Sequence, residues 1–104
     1  MKPTVRVIAG SLKGKAIPFI NRRFGDADIT PQKVKGAVFS ILGEELNGMI
    51  FLDLYAGSGQ MGIEALSRGC SFVIFSESDK KRFSFIREFL LSACDRGRYM
   101  VLNM

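Results

Sequence analysis

Histidine is absent from this 104-residue chain. Its absence removes Ser–His and Cys–His nucleophile pairs, histidine-assisted general-base chemistry and most zinc sites. Cysteine is scarce. Cys70 and Cys94 are far apart, in apolar or helical contexts. They cannot make a structural zinc site alone, so no metal is expected. They read as reduced, buried thiols of a cytoplasmic protein. No apolar run approaches the roughly 20 residues that span a bilayer, and the N-terminus lacks the apolar core of a signal peptide. No membrane partner is expected. Repeats and low-complexity tracts are missing too. A hydrophobic content of 47% suits one small fold with one core.

Acidic residues are missing from positions 1–25 of the chain. Lys2, Arg6, Lys13, Lys15, Arg22 and Arg23 all precede the first acid, Asp26, and Lys33 and Lys35 extend the basic end. The net charge is +5. A basic segment of this kind suits a polyanionic partner, and nucleic acid is the expected one. Arg6, Lys13, Lys15, Arg22, Arg23, Lys33 and Lys35 are therefore the candidate contacts. No interleaved aromatic platform accompanies them, so contact with phosphates rather than bases is expected. A second group, Lys80-Lys81-Arg82 with Arg87, falls on a predicted helix and reads as ordinary solvated charge.

What the chain does have is the segment Phe51-Leu-Asp-Leu-Tyr-Ala-Gly-Ser-Gly-Gln-Met-Gly-Ile-Glu-Ala-Leu. An apolar run ends in an acid, a tight Gly-Ser-Gly turn follows, and then a helical pattern. Gly57 and Gly59 permit backbone angles closed to other residues and let a ligand touch the main chain. The helix that follows directs free N–H groups at the same place. Ser76-Glu77 lies about twenty residues beyond Gly57, where an acid can accept both hydroxyls of a ribose. The site reads as a holder for an adenosine-type cofactor.

Two cofactors fit that description. Gly57-Ser58-Gly59-Gln60-Met61-Gly62 is a literal G-x-G-x-x-G, the dinucleotide fingerprint, and an NAD(P)-binding oxidoreductase domain is one reading. In that fingerprint, however, the first glycine directly follows the strand. Here Asp53-Leu-Tyr-Ala intervenes. A carboxylate at the mouth repels pyrophosphate and suits a cationic ligand such as the amino group of S-adenosylmethionine (SAM). Asp53 can equally cap the loop by accepting its N–H groups.

Along the chain, residues 4–20 read as a β-hairpin with Ser11-Leu-Lys-Gly as its turn and Pro18 at an edge. Thr30-Pro31 reads as a helix start, Thr as N-cap and Pro at the first helical position. Val34, Ala37, Val38, Ile41 and Leu42 form the expected core stripe of that helix, with Gly43 as its stop. Met49 to Leu54 is expected as a buried strand, Gln60 to Arg68 as a helix ended by Gly69, and Phe72 to Ser76 as a strand. Asp79 should cap a helix from Lys80 to Cys94. Tyr99 to Asn103 should be a third strand. Alternating strands and helices predict a parallel α/β sheet with right-handed crossovers, its ligand at the C-terminal strand ends.

The combined pattern resembles a known family, the bacterial small-subunit ribosomal RNA methyltransferases that modify the exocyclic N2 of a guanine with SAM. Arg6-Val-Ile-Ala-Gly-Ser-Leu-Lys-Gly is similar to its opening R-x-I-x-G-x-x-x-G. Thr30-Pro-Gln-Lys-Val-Lys-Gly-Ala-Val-Phe-Ser is similar to R-P-T-x-x-R-V-R-E-x-L-F-N. The stretch from Leu52 to Gly69 is very close to L-D-L-F-A-G-S-G-x-L-G-x-E-A-L-S-R-G, and Ser76-Glu-Ser-Asp corresponds to V-E-x-D. The resemblance implies the N-terminal half of a Rossmann-like, class I SAM-dependent methyltransferase fold, with parallel strands in the order 3-2-1. A basic arm at 1–29 would precede a SAM-binding half-domain at 30–104. It implies SAM held by Asp53, Tyr55, Ala56, Gly57, Ser58, Gly59, Met61, Gly62, Glu77 and Ser78, and ribosomal RNA or the small subunit as partner.

There are departures. Asp28 and Ile29 stand where the family has Arg-Pro, and Gly36 stands for a Glu. Family members also carry an Asn/Asp-Pro-Pro-aromatic motif after a fourth strand, where it holds the target amine and stacks on the flipped base. The only prolines here are Pro3, Pro18 and Pro31. No catalytic residue is therefore assigned, and the chain alone is expected to be a catalytically silent SAM- and RNA-binding module. Strand 49–54, lacking its outer neighbour, is expected to invite self-association.

Overall fold

A computed structural model of the chain describes residues 5–19 and 30–104. Arg22 and Arg23, and the polar connection expected over 21–29, lie outside the described residues. The arm is a hairpin. Strand β1 (Val5–Arg6) pairs antiparallel with β2 (Ala16–Ile17). Ile17 and the adjoining Val7 turn inward and belong to the same core as the rest of the chain.

Helix α1 spans Gln32–Leu42. Pro31 occupies the cap position with an extended ψ of 146°, and among the described residues no side chain caps the helix. Thr30 therefore does not act as the N-cap expected of it, because the helix begins one residue too late for its hydroxyl to reach. The expected core stripe is displaced as well. Val34, Ala37 and Ile41 are exposed, and the buried positions are Lys35 and Phe39. Phe39 stacks on Phe51 at 5.8 Å between ring centroids, and Lys35 meets a buried carboxylate. These two contacts set the rotation of the helix, against its apolar periodicity. Gly43 ends α1 as expected and opens a 3₁₀ turn, Gly43–Leu46.

The remaining elements alternate. Strand β3 (Ile50–Leu54) leads to helix α2 (Gln60–Ser67), strand β4 (Phe72–Ser76), helix α3 (Lys80–Ala93), a 3₁₀ turn at Arg96–Arg98 and strand β5 (Tyr99–Leu102). The three strands form a parallel sheet in the order β3-β4-β5. Asp79 caps α3, its Oδ2 accepting the Arg82 N–H at 2.9 Å. Ile86 and Leu90 of α3 are fully buried, and Phe89 nearly so. Gly62 lets α2 lie close to the sheet. A Cβ there would stand 2.3 Å from the Phe75 ring, so nothing larger fits without displacing it.

Among the described residues, only one face of the sheet is covered. Val73 and Phe75 point into the core under α2 and α3, with Phe51, Asp53, Tyr99 and Val101 beside them in register. The opposite face carries Ile50, Leu52 and Leu54, which are 68%, 58% and 60% exposed, and Met100. Strand β3 is thus half-covered, not the buried strand its sequence suggests. Successive right-handed crossovers in one direction place both helices on the same side.

Candidate functional site

The site forms where β3 and β4 end side by side. Asp53 is next to last in β3 and Leu54 pairs with Ser76 at the close of β4, so Glu77 follows at the neighbouring strand end. Between them the chain turns sharply. Tyr55 takes a positive φ of 55°, and its side chain is 91% exposed. The Ala56 N–H donates to Ser76 O at 2.9 Å, and the Gly59 N–H folds back to Ala56 O at 2.8 Å. Gly57 and Gly59 have φ of 60° and 78°, the left-handed region this turn requires. Helix α2 starts immediately afterwards, and the loop from Gly57 to Gln60 is buried.

One carboxylate holds this loop and the other holds the first turn of α2. Glu77 accepts the Gly57 N–H on Oε1 and the Asp79 N–H on Oε2, each at 2.8 Å. Asp53 accepts the Gly62 N–H on Oδ2 at 3.0 Å. The capping role read for Asp53 is therefore present. Burial pushes the Asp53 carboxyl up to about 6; the Gly62 N–H opposes that shift and the nearby Glu77 charge adds to it. Beneath Glu77, the Asn103 amide donates to the carbonyls of Glu77 and Ser78, both at 3.0 Å, and fixes the end of β4. Asn103 was not legible as a site-building residue, because nothing local marks a strand-end asparagine as a cross-strand clamp.

This donor set suits some ligand chemistries better than others. A pyrophosphate needs free main-chain N–H groups, but those of Gly57, Gly59 and Gly62 are already donated, two of them to carboxylates. Two buried acids beside the loop would also repel it. Each carboxylate oxygen keeps a further lone pair for an incoming donor. An adenosine-type ligand with ribose hydroxyls and a cationic amino group fits these residues.

The basic candidates are scattered by comparison. Arg6, Lys13, Lys15 and Lys33 are exposed. The Arg6 Nη1 donates to Gly14 O at 3.0 Å, and the Lys15 ammonium lies 5.9 Å from the centre of the Phe89 ring. Lys35 is not a surface cation. It is fully buried, its Nζ 3.5 Å from Glu64 Oε1 and donating to Arg6 O at 2.8 Å. Burial pushes its ammonium pKa down while Glu64 opposes the shift. Charge counting placed it with the surface cations because the sequence did not reveal which face of α1 turns inward. Among the described residues no cluster suited to a metal ion occurs, and no helix is long and apolar enough to cross a membrane.

Residues 5–102 match the family described as Conserved hypothetical protein 95. The chain belongs to this family. Among curated relatives, it is 39% identical over 79 residues to Ribosomal RNA small subunit methyltransferase D of Haemophilus influenzae, covering 76% of this chain and 40% of that protein. It is 40% identical over 83 residues to a Bacillus subtilis protein provisionally described as the rRNA methyltransferase YlbH, covering 80% of this chain and 44% of that one. Among solved structures, yhhF from Escherichia coli, a methyltransferase by provisional description, superposes with a TM-score of 0.82 at 28% identity. That match covers 97% of this chain and 52% of the other. The Thermus thermophilus hypothetical protein TTHA0928 gives 0.79 at 25% identity, covering 96% and 55%. The chain thus spans about half the length of the relatives it matches. The resemblance drawn from the motifs stands, and so does the Rossmann-like α/β architecture.

Proposed function

We propose that the chain is the cofactor-binding half of a SAM-dependent ribosomal RNA methyltransferase that works in the cytoplasm on the exocyclic N2 of a guanine in the small subunit. One observation carries the cofactor reading. Two buried carboxylates, Asp53 and Glu77, take up amides of the glycine loop and of the first turn of α2 at adjacent strand ends. That arrangement favours a cationic, ribose-bearing ligand over a dinucleotide. The relatives' names support the reaction and the RNA class.

In this reading Glu77 accepts the ribose hydroxyls with the lone pairs its backbone bonds leave free. Asp53 faces the amino group of the methionine part. Tyr55, Ala56, Ser58, Met61 and Ser78 line the same loop ends, and Gly57 and Gly59 allow the ligand close to the main chain. When bound, SAM would supply an activated methyl group. An amine attacking such a methyl needs positioning more than proton transfer, which suits a chain without histidine. Arg6, Lys13, Lys15 and Lys33, with Arg22 and Arg23 of the 1–29 arm, would meet RNA phosphates, next to a cofactor unit at 30–104.

Calorimetry with S-adenosylhomocysteine and with NAD tests the cofactor. The homocysteine compound should bind, and Glu77→Ala should abolish binding. Tighter binding of NAD, also lost in Glu77→Ala, would replace this reading with an oxidoreductase.

A further inference from the structure

Helix α2 has a second face that the cofactor does not explain. Gln60, Glu64 and Ser67 recur at helical spacing, so they share one side. All three are buried, at 2%, 0% and 5% exposure. Buried polar groups need partners, and most of those found here lie in the N-terminal segment, while Gln60 Oε1 has none among the described residues. The Gln60 amide donates to Thr30 O at 2.8 Å. Glu64 accepts the Ile8 N–H at 2.9 Å and the Ala9 N–H at 3.1 Å, and its charge is met by Lys35 and by Arg68 Nε at 2.8 Å. Ser67 accepts the Leu12 N–H on Oγ at 2.9 Å and donates to Ala9 O at 2.6 Å, while its carbonyl accepts the Ser11 N–H at 2.8 Å.

Gly10 seals this junction. A Cβ at Gly10 would stand 1.9 Å from Ser67 O, inside the helix backbone. The first residue of α2 follows the glycine loop directly, and its last turn holds the hairpin that displays Lys13 and Lys15. One short helix therefore spans from the ligand loop to the basic turn.

We propose that the buried polar face of α2 registers the basic arm against the cofactor loop, which makes Glu64 a positioning residue for RNA held by that arm. This rests on the RNA reading given above. Glu64 touches neither ligand. It fixes where the arm's cations stand relative to the methyl donor.

The test uses the paired variant Lys35→Met/Glu64→Leu, which removes the acceptors of Ile8 and Ala9 together with the buried Lys35 charge and leaves Arg68, 20% exposed, to turn to water. Ser67→Ala is a milder second variant. Three quantities are measured: S-adenosylhomocysteine affinity, affinity for a small-subunit RNA fragment across a salt series, and amide exchange at Ile8, Ala9 and Leu12. The expected result is unchanged S-adenosylhomocysteine affinity, fast exchange at Ile8 and Ala9, and weaker RNA binding. The slope of log affinity against log salt should shrink by about 1.4–1.8 if the contacts of Lys13 and Lys15 are lost. Adding Lys35→Met/Glu64→Gln, whose amide oxygen can accept one of the two N–H groups, should restore part of the RNA affinity. If the paired variant no longer binds S-adenosylhomocysteine, Ser67→Ala decides by the same readings. Native RNA affinity and slope with the amides of Ile8 and Ala9 released, or that of Leu12 in Ser67→Ala, would overturn the inference and leave the RNA reading standing. A native chain without RNA affinity would overturn both.

Discussion

Asp53 holds a proton more readily than an aspartate in water. Its folded value of about 6 lies above the ordinary 3.8, with burial the largest cause. The folded chain thus binds the extra proton between those values, and this group's contribution to stability falls as pH rises from about 4 to 6. The full change is about 3 kcal/mol. Urea unfolding at pH 4, 5, 6 and 7 should show that decline, and Asp53→Asn should remove it. A cationic ligand favours the ionised form, so binding at pH 5 should release about one proton. Calorimetry in two buffers of different ionisation heat reads that release, which Asp53→Asn should abolish. Gly62 and Gly10 give a contrast at the same scale. Gly62→Ala presses on the Phe75 ring, a side chain that can shift, at a cost of about 1–3 kcal/mol. Gly10→Ala presses on the Ser67 carbonyl, which helix hydrogen bonding holds in place. Thermal melts should show Gly62→Ala folded with a lowered Tm. Amide exchange should show Gly10→Ala with the arm released from α2. Both glycines were legible as motif positions. Their reasons were not, because each is set by an atom remote in sequence.

Among the elements, the strands, α2 and α3 were legible to within a residue or two. Their signals are local: apolar runs bounded by glycine, and Asp79 as a cap. Asp79→Ala should cost about 1 kcal/mol, seen as a lower urea midpoint with unchanged slope. Helix α1 was legible in extent but not in orientation. Its apolar stripe lost to two specific contacts, Phe39 on Phe51 and Lys35 on Glu64. The Glu-Ala-Leu-Ser-Arg run of α2 read as an ordinary helix. That Glu64 and Ser67 are buried acceptors for the arm follows only once residues 8–12 lie against them. The arm's own role is checked by Lys13→Glu/Lys15→Glu. RNA affinity should fall, and the salt slope should shrink by roughly 0.7–0.9 per lost phosphate contact. An unchanged salt series would remove the arm from RNA binding.

At the scale of the molecule, the described residues cover the sheet on one side only. The family resemblance allowed the order 3-2-1, with β3 at an edge, to be anticipated. The exposed second face was hidden, because a continuous apolar run such as that of β3 is the pattern of a parallel strand covered on both faces. Side chains such as Ile50, Leu52 and Leu54 rarely stay in water as a contiguous patch. The chain should associate through this surface, giving light-scattering masses above the monomer that Leu52→Lys and Leu54→Lys lower. Alone it should transfer no methyl group to small-subunit RNA. Transfer that appears on adding the C-terminal half of the Haemophilus influenzae relative would support the proposed reaction, and transfer by the chain alone would require a catalytic group not assigned here. The loop conformation also has an optical consequence. With no tryptophan and two tyrosines, the chain's near-ultraviolet emission comes from Tyr55 and Tyr99. The Tyr99 hydroxyl is sealed from solvent, whereas Tyr55 stands in water at the rim of the ligand loop. A stacking adenine would dim one phenol and spare the other, so the unlabelled protein carries its own gauge of occupancy.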